Sequence, residues 1–166
     1  VSADEALKQR PDWEEAALFK ARILLSQKEP QKARAFYEAF LNDNHGANSV
    51  RLNYARFLVD QKEWQKALEE FKRVAKNVPD DADTVYAVGL LSLQNNRLDE
   101  ADKYLQRALE LRPQNDQARL YLGQVAEQRK QYGAAIDWYL QIKEGEYYFE
   151  AQARLGVVMA RQGDLA

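Results

Sequence analysis

The sequence contains no cysteine. Disulfides, thiolate metal sites and cysteine nucleophiles are therefore excluded, while cytoplasm and periplasm stay equally open. It has a single histidine, His45, in the polar turn segment Asn42-Asp43-Asn44-His45-Gly46. One histidine without cysteine gives no ligand set with zinc spacing. A Ser/His/Asp arrangement would have to use that same turn residue, away from any defined pocket. No glycine-rich phosphate loop is present. No apolar run approaches the ~20 residues that a membrane span requires, and the first residues carry no signal-peptide or lipidation pattern. Neither sign of charge dominates, with 24 Lys and Arg against 26 Asp and Glu. At net charge −2 there is no basic field to hold a nucleic-acid backbone or an anionic membrane. No catalytic, cofactor-binding or metal-binding residue is assigned, and the chain reads as a non-enzyme.

What is present is a mixture of 30% charged and 46% apolar residues, with a mean hydropathy of −0.66. That mixture suits amphipathic helices with one charged and one apolar face. Laying the chain on itself shows a repeat. Ala33, Ala67, Ala101 and Ala135 are 34 residues apart each time, and each is followed four residues on by Tyr37, Phe71, Leu105 or Tyr139. A second series of small residues runs Ala21, Ala55, Gly89, Gly123 and Gly156, at steps of 34, 34, 34 and 33. A third is Pro11, Pro79 and Pro113. Three series in one register establish the period.

The third repeat shows the physics of the unit. Asp80, Asp81 and Asp83 cluster where carboxylates cap free N–H groups and favour the helix dipole. Val85, Val88, Gly89 and Ser92 follow at the spacing of one helical face. Polar turn residues, Gln94 to Arg97, lead to a second helix carrying Leu98, Ala101, Leu105, Ala108 and Leu109, which stops before Pro113. Gly89 and Ala101 let the two helices approach closely. Pro30 and Trp64 occupy the start of the second helix in the first two repeats, and a first-turn place tolerates proline. Trp13, Trp64 and Trp138 read as packing residues.

This spacing resembles the tetratricopeptide repeat, sketched as W-x2-L-G-x2-Y, then A-x3-F, then P. Val88-Gly89, Leu122-Gly123 and Leu155-Gly156 match its L-G pair, and the Ala-x3-large match occurs four times. The tryptophan slot departs, holding Ala17, Arg51, Val85, Arg119 and Gln152, and so does the tyrosine slot, with Leu24, Leu58, Ser92, Ala126 and Met159. The resemblance covers essentially the whole chain. It implies an all-α, right-handed superhelical solenoid of antiparallel helix pairs, with about ten helices counting partial ones at both ends. The expected organisation is one array: 1–13 as the end of an upstream repeat, then repeats 14–47, 48–81, 82–115 and 116–148, then 149–166 as the first helix of a fifth. Neither end reads as a polar solenoid cap, so the sequence is expected to be a piece of a longer array.

The resemblance also implies that first helices line a concave groove. The residues expected to face it lie off the core stripe: Leu18, Arg22 and Leu25; Leu52, Arg56 and Val59; Tyr86, Leu90 and Leu93; Leu120, Gln124 and Glu127. Leu18, Leu52, Tyr86 and Leu120 form apolar rungs, with Arg22 and Arg56 as a positive end. Such a groove suits a peptide or helix carrying acidic and apolar groups. The alternative is that the rungs pack on neighbouring repeats. The lysine and asparagine clamp by which some family members hold chaperone C-termini is not matched. The corresponding places hold Leu18, Arg22, Asn53, Asp83 and Ala87, of which only the asparagine agrees. The run Glu144-Gly145-Glu146-Tyr147-Tyr148-Phe149 breaks the pattern, either as a contact patch or as packing around a shortened turn. Paired acids such as Glu14-Glu15, Glu69-Glu70 and Asp99-Glu100 read as solvated helix surface.

The leading functional reading is a scaffold that captures a partner protein or peptide in the groove and organises a multi-protein complex. A second is a structural module that self-associates through its ends, around Ala3–Leu7 and Leu155–Met159. A third is delivery of substrates to an enzyme elsewhere in a larger protein. The residues identify neither the partner nor the compartment.

Overall fold

The computed structural model describes residues 2–164; Val1, Leu165 and Ala166, which the sequence reading assigned to the terminal half-repeats, lie outside the described residues. Ten helices and no strand occur among the described residues. Contacts divide the chain between Asn77 and Val78 into two compact units.

The first unit holds α1 (Ala3–Gln9), α2 (Glu14–Ser26), α3 (Pro30–Asp43), α4 (Asn48–Asp60) and α5 (Trp64–Asn77). α1 starts on a capping box: the Ser2 hydroxyl accepts from the Glu5 N–H, and the Ser2 N–H donates to the Glu5 carboxylate. Pro30 is the first residue of α3, as its place in the repeat predicts. The core of the hairpins α2–α3 and α4–α5 is built from the small series, Ala21, Ala33, Ala55 and Ala67, all fully buried. Around them Tyr37 packs on Tyr54 and Phe57, with ring centroids 5.4 and 5.9 Å apart. The Tyr54 hydroxyl donates to Glu38 at 2.7 Å. Burial, reinforced by that hydrogen bond, holds its pKa above the usual phenol value.

The second unit holds α6 (Ala82–Gln94), α7 (Leu98–Leu111), α8 (Asp116–Gln128), α9 (Tyr132–Leu140) and α10 (Tyr148–Asp164). Asp81 caps α6 by accepting from the Thr84 N–H, and Asn115 caps α8 by accepting from the Ala118 N–H. Gly89 and Gly123 are contact points of the two hairpins. A Cβ at Gly89 would stand 2.8 Å from the Leu105 side chain, and one at Gly123 would stand 2.2 Å from the Tyr139 ring. Helix α9 has nine residues where α3, α5 and α7 have fourteen. Its continuation is irregular: Ile142 is fully buried and Gly145 takes a left-handed φ of 86°. In this turn Tyr147 packs against the cluster of Tyr139, Ile142 and Leu155, whereas Phe149 is 80% exposed. The aromatic run is thus divided between packing and surface.

One regularity is invisible in residue type. Lys28, Lys62, Asn96 and Lys130, 34 residues apart, all take a left-handed φ between 57° and 61°. Each follows a first helix, and the next N–H donates back to a carbonyl of the last turn, as Glu29 does to Leu24 and Glu63 to Leu58. These are helix-terminating turns of the Schellman kind, a place that favours glycine because a Cβ strains the left-handed region. Lys28→Gly and Lys62→Gly are each expected to raise stability by about 0.5–1 kcal/mol, read as a higher urea midpoint at unchanged slope.

Candidate partner-binding surface

In the first unit, the first helices α2 and α4 touch. Leu18, Arg22 and Leu25, three of the predicted residues, line one recess of about 430 Å³ together with Glu15, Phe19, Tyr37 and Asn53. Phe19 is 46% and Leu25 38% exposed. The Arg22 guanidinium lies over the Phe19 ring at 5.3 Å. This keeps the charge beside an apolar opening and leaves its N–H donors for other partners. On α4, at the corresponding places one repeat on, Leu52 and Val59 are half-buried and Arg56 is exposed. Phe19 was missed by the repeat-register rule because it stands one residue past the rung Leu18. Its signal in the sequence is the Phe19/Arg22 pair, three residues apart on a helix.

The arginines of this face differ from most others in the chain. Apart from Arg10, which lies over the Trp13 ring, arginines elsewhere are tied to carboxylates, among them Arg34 to Glu63, Arg51 to Glu70, Arg112 to Asp83 and Arg129 to Asp99. The Arg34 guanidinium holds the Glu63 carboxyl below its usual pKa, chiefly through their hydrogen bond. Arg22 and Arg56 have no carboxylate partner among the described residues.

In the second unit the predicted residues behave differently. Leu120 is 2% exposed and sits in the core with Tyr139, Ile142, Leu155 and Val158, so it is no open rung. The addition of α10 against α9 covers that side of α8. Glu127 is engaged as well: it accepts the Tyr139 hydroxyl and lies 3.5 Å from Arg154 and 3.8 Å from Arg161. Tyr86 and Leu93 pack against the cluster of Ala101, Leu105 and Leu122, and the Tyr86 ring lies 6.5 Å from that of Tyr121. Burial pushes the Tyr86 hydroxyl pKa up. Leu90 and Gln124 are half-buried. The packing alternative therefore describes Leu120, Tyr86 and Leu93, whereas the α2 residues open to solvent.

One further reading changes. Glu70 is not solvated: its side chain is 14% exposed and receives Arg51 at 2.6 Å. Arg51, in the tryptophan slot, is itself buried and also donates to the His45 carbonyl at 3.2 Å. Among the described residues no group of three His, Asp or Glu stands together as a metal-ligand set, and no helix is long and apolar enough to cross a membrane.

Residues 2–49, 52–105 and 86–148 match the tetratricopeptide repeat family. The chain is 23% identical over 164 residues to the type IV pilus assembly protein PilF of Pseudomonas aeruginosa, covering 97% of this chain and 65% of that protein. It is 30% identical over 77 residues to anaphase-promoting complex subunit 3 of Schizosaccharomyces pombe, covering 46% of this chain and 12% of that protein. It thus spans less than two thirds of either curated relative. Its fold is similar to that of YrrB, a TPR protein described as having an unusual peptide-binding site, with a TM-score of 0.82, 21% identity, and coverage of 98% of this chain and 84% of the other. With the family match spanning nearly every repeat, the chain belongs to the tetratricopeptide repeat family.

Proposed function

We propose that this chain is a protein-interaction scaffold whose first unit captures a partner segment on the face formed by α2 and α4. Proteins of this family generally act through protein–protein contacts and complex assembly, and generally not as enzymes. The observation that carries the reading is the pairing of an open apolar recess with unsatisfied charge. Leu18, Phe19 and Leu25 offer apolar surface, and Arg22 and Arg56 are cations without carboxylate partners. Exposed apolar surface beside unpaired arginine favours a peptide with apolar anchors and acidic neighbours, since Arg forms strong bidentate pairs with carboxylates. The peptide-binding site named for YrrB, and the assemblies named for the two curated relatives, support a polypeptide ligand.

The test is selection of peptides from a displayed library against the whole chain, followed by titration of the enriched sequences. Enriched peptides are expected to combine Asp or Glu with Leu, Phe or Trp. Against Arg22→Glu/Arg56→Glu, which touches no ion pair, their affinity is expected to fall at least tenfold, about 1.4 kcal/mol. Peptides without acidic residues, or equal binding to parent and variant, would refute the proposal.

A further inference from the structure

The recess on α2 carries both signs of charge, separated along the helix. Glu15 and Arg22 both line it, seven residues apart on α2. That spacing sets them on one helical face, about 10 Å apart along the axis. Leu18 and Phe19 line the wall between them. A second recess, of about 240 Å³, continues from the Glu15 end: it shares Glu15 and Leu18 with the first and adds Asp12, Trp13 and Ser49 among its walls. The two together run from Leu25 to the turn before α2.

The second recess is net anionic, with Asp12, Glu14 and Glu15 against the single guanidinium of Arg10. Two of these groups are engaged: Glu14 accepts the Ser49 N–H at 3.0 Å, and Arg10 lies over the Trp13 ring at 5.0 Å. Asp12 and Glu15 are exposed carboxylates with no cation partner among the described residues. Acidic residues in the first turn of α2 favour its dipole. The dipole does not require that one of them wall the recess beside Leu18 and Phe19, as Glu15 does. We infer that the segment captured by the α2/α4 face carries a lysine or arginine as well as its acidic residue. The cation sits against Glu15 and Asp12, the acid against Arg22 and Arg56, and apolar side chains lie on Leu18 and Phe19 between them. This holds only if the α2/α4 face is the capture site, and it adds the sign of the second anchor and the direction in which the charges run along α2. A uniformly acidic segment is disfavoured, because its end toward Trp13 would meet like charge. An extended segment rises about 3.3 Å per residue, which places its two charges roughly two to four residues apart.

The probe is a displayed library of random decapeptides, selected in parallel on the whole chain and on its Glu15→Lys variant. On the parent, enriched peptides are expected to pair Lys or Arg with Asp or Glu at that separation. On Glu15→Lys the basic position should turn acidic. A parent-selected peptide, titrated by fluorescence anisotropy, should bind Glu15→Lys about fivefold more weakly, as reversal of an exposed charge pair allows. The same peptide with its own basic residue changed to Glu should bind Glu15→Lys as well as the original binds the parent. That rescue separates a lost charge contact from a lost fold. Enriched peptides without a basic residue would overturn the inference. So would equal binding to parent and Glu15→Lys of a peptide that Arg22→Glu/Arg56→Glu weakens, which leaves the α2/α4 capture site standing. Binding indifferent to Arg22→Glu/Arg56→Glu, or no enrichment at all, would remove the capture site and this inference with it.

Discussion

Replacing Arg51 with alanine is expected to lower unfolding free energy by about 3 kcal/mol, because breaking a buried ion pair leaves its partner uncompensated. The Arg51 side chain is 7% exposed and that of Glu70 14%, and they meet at 2.6 Å. Arg51 also donates to the His45 carbonyl, so its loss strands a carbonyl acceptor of the turn between repeats as well. Arg73 reaches Glu70 at 3.1 Å but is 64% exposed, so it offsets only part of the cost. For a chain of this size the midpoint should drop by roughly 6–12 °C. Arg51→Met/Glu70→Leu is expected to recover most of the loss, since apolar replacements of a buried pair are often neutral. If Arg51→Ala changes the urea midpoint no more than a surface substitution does, the pair is not a structural element of the first unit.

The second large effect is an opposition of sign at two glycines of the same series. Gly123→Ala is expected to destabilise by about 2–3 kcal/mol through overpacking. The added carbon would stand 2.2 Å from the Tyr139 ring. That ring has little room to retreat, being fully buried with its hydroxyl held by Glu127. Gly156→Ala meets nothing within 4 Å and is expected to stabilise by up to about 1 kcal/mol through helix propensity alone. Chemical denaturation of the two single variants measures both. Equal effects would mean that the α8–α9 contact relaxes freely, against the close packing on which the hairpin depends.

The architecture was legible because the repeat places small residues where helices touch. Ala33, Ala67, Ala101 and Ala135 are all fully buried, and their spacing, in register with the Ala/Gly and proline series, marks the helical repeat. Conformation that residue type does not signal was not legible. Nothing about lysine at positions 28, 62 and 130 announces a left-handed backbone, which is imposed there by the geometry of the turn between helices. The surface was only partly legible for a related reason. Periodicity assigns a helical face but not what covers it. Leu18 and Leu120 occupy one register position, yet Leu18 lines an open recess and Leu120 is buried with Leu155 and Val158 of α10. Likewise Arg51 and Arg22 are both arginines on first helices, yet Arg51 is buried against Glu70 and the His45 carbonyl while Arg22 is exposed over the Phe19 ring.

Capture of a partner segment by the α2/α4 face can be read by photocrosslinking in cells of the source organism. A benzophenone amino acid would replace Leu18 in one variant and Leu25 in another, with exposed Gln61 as the control site. The same protein adduct is expected at positions 18 and 25, absent at 61, and lost when Arg22→Glu/Arg56→Glu is added. Adducts at the control site alone, or adducts at 18 and 25 that survive the charge reversal, would contradict it.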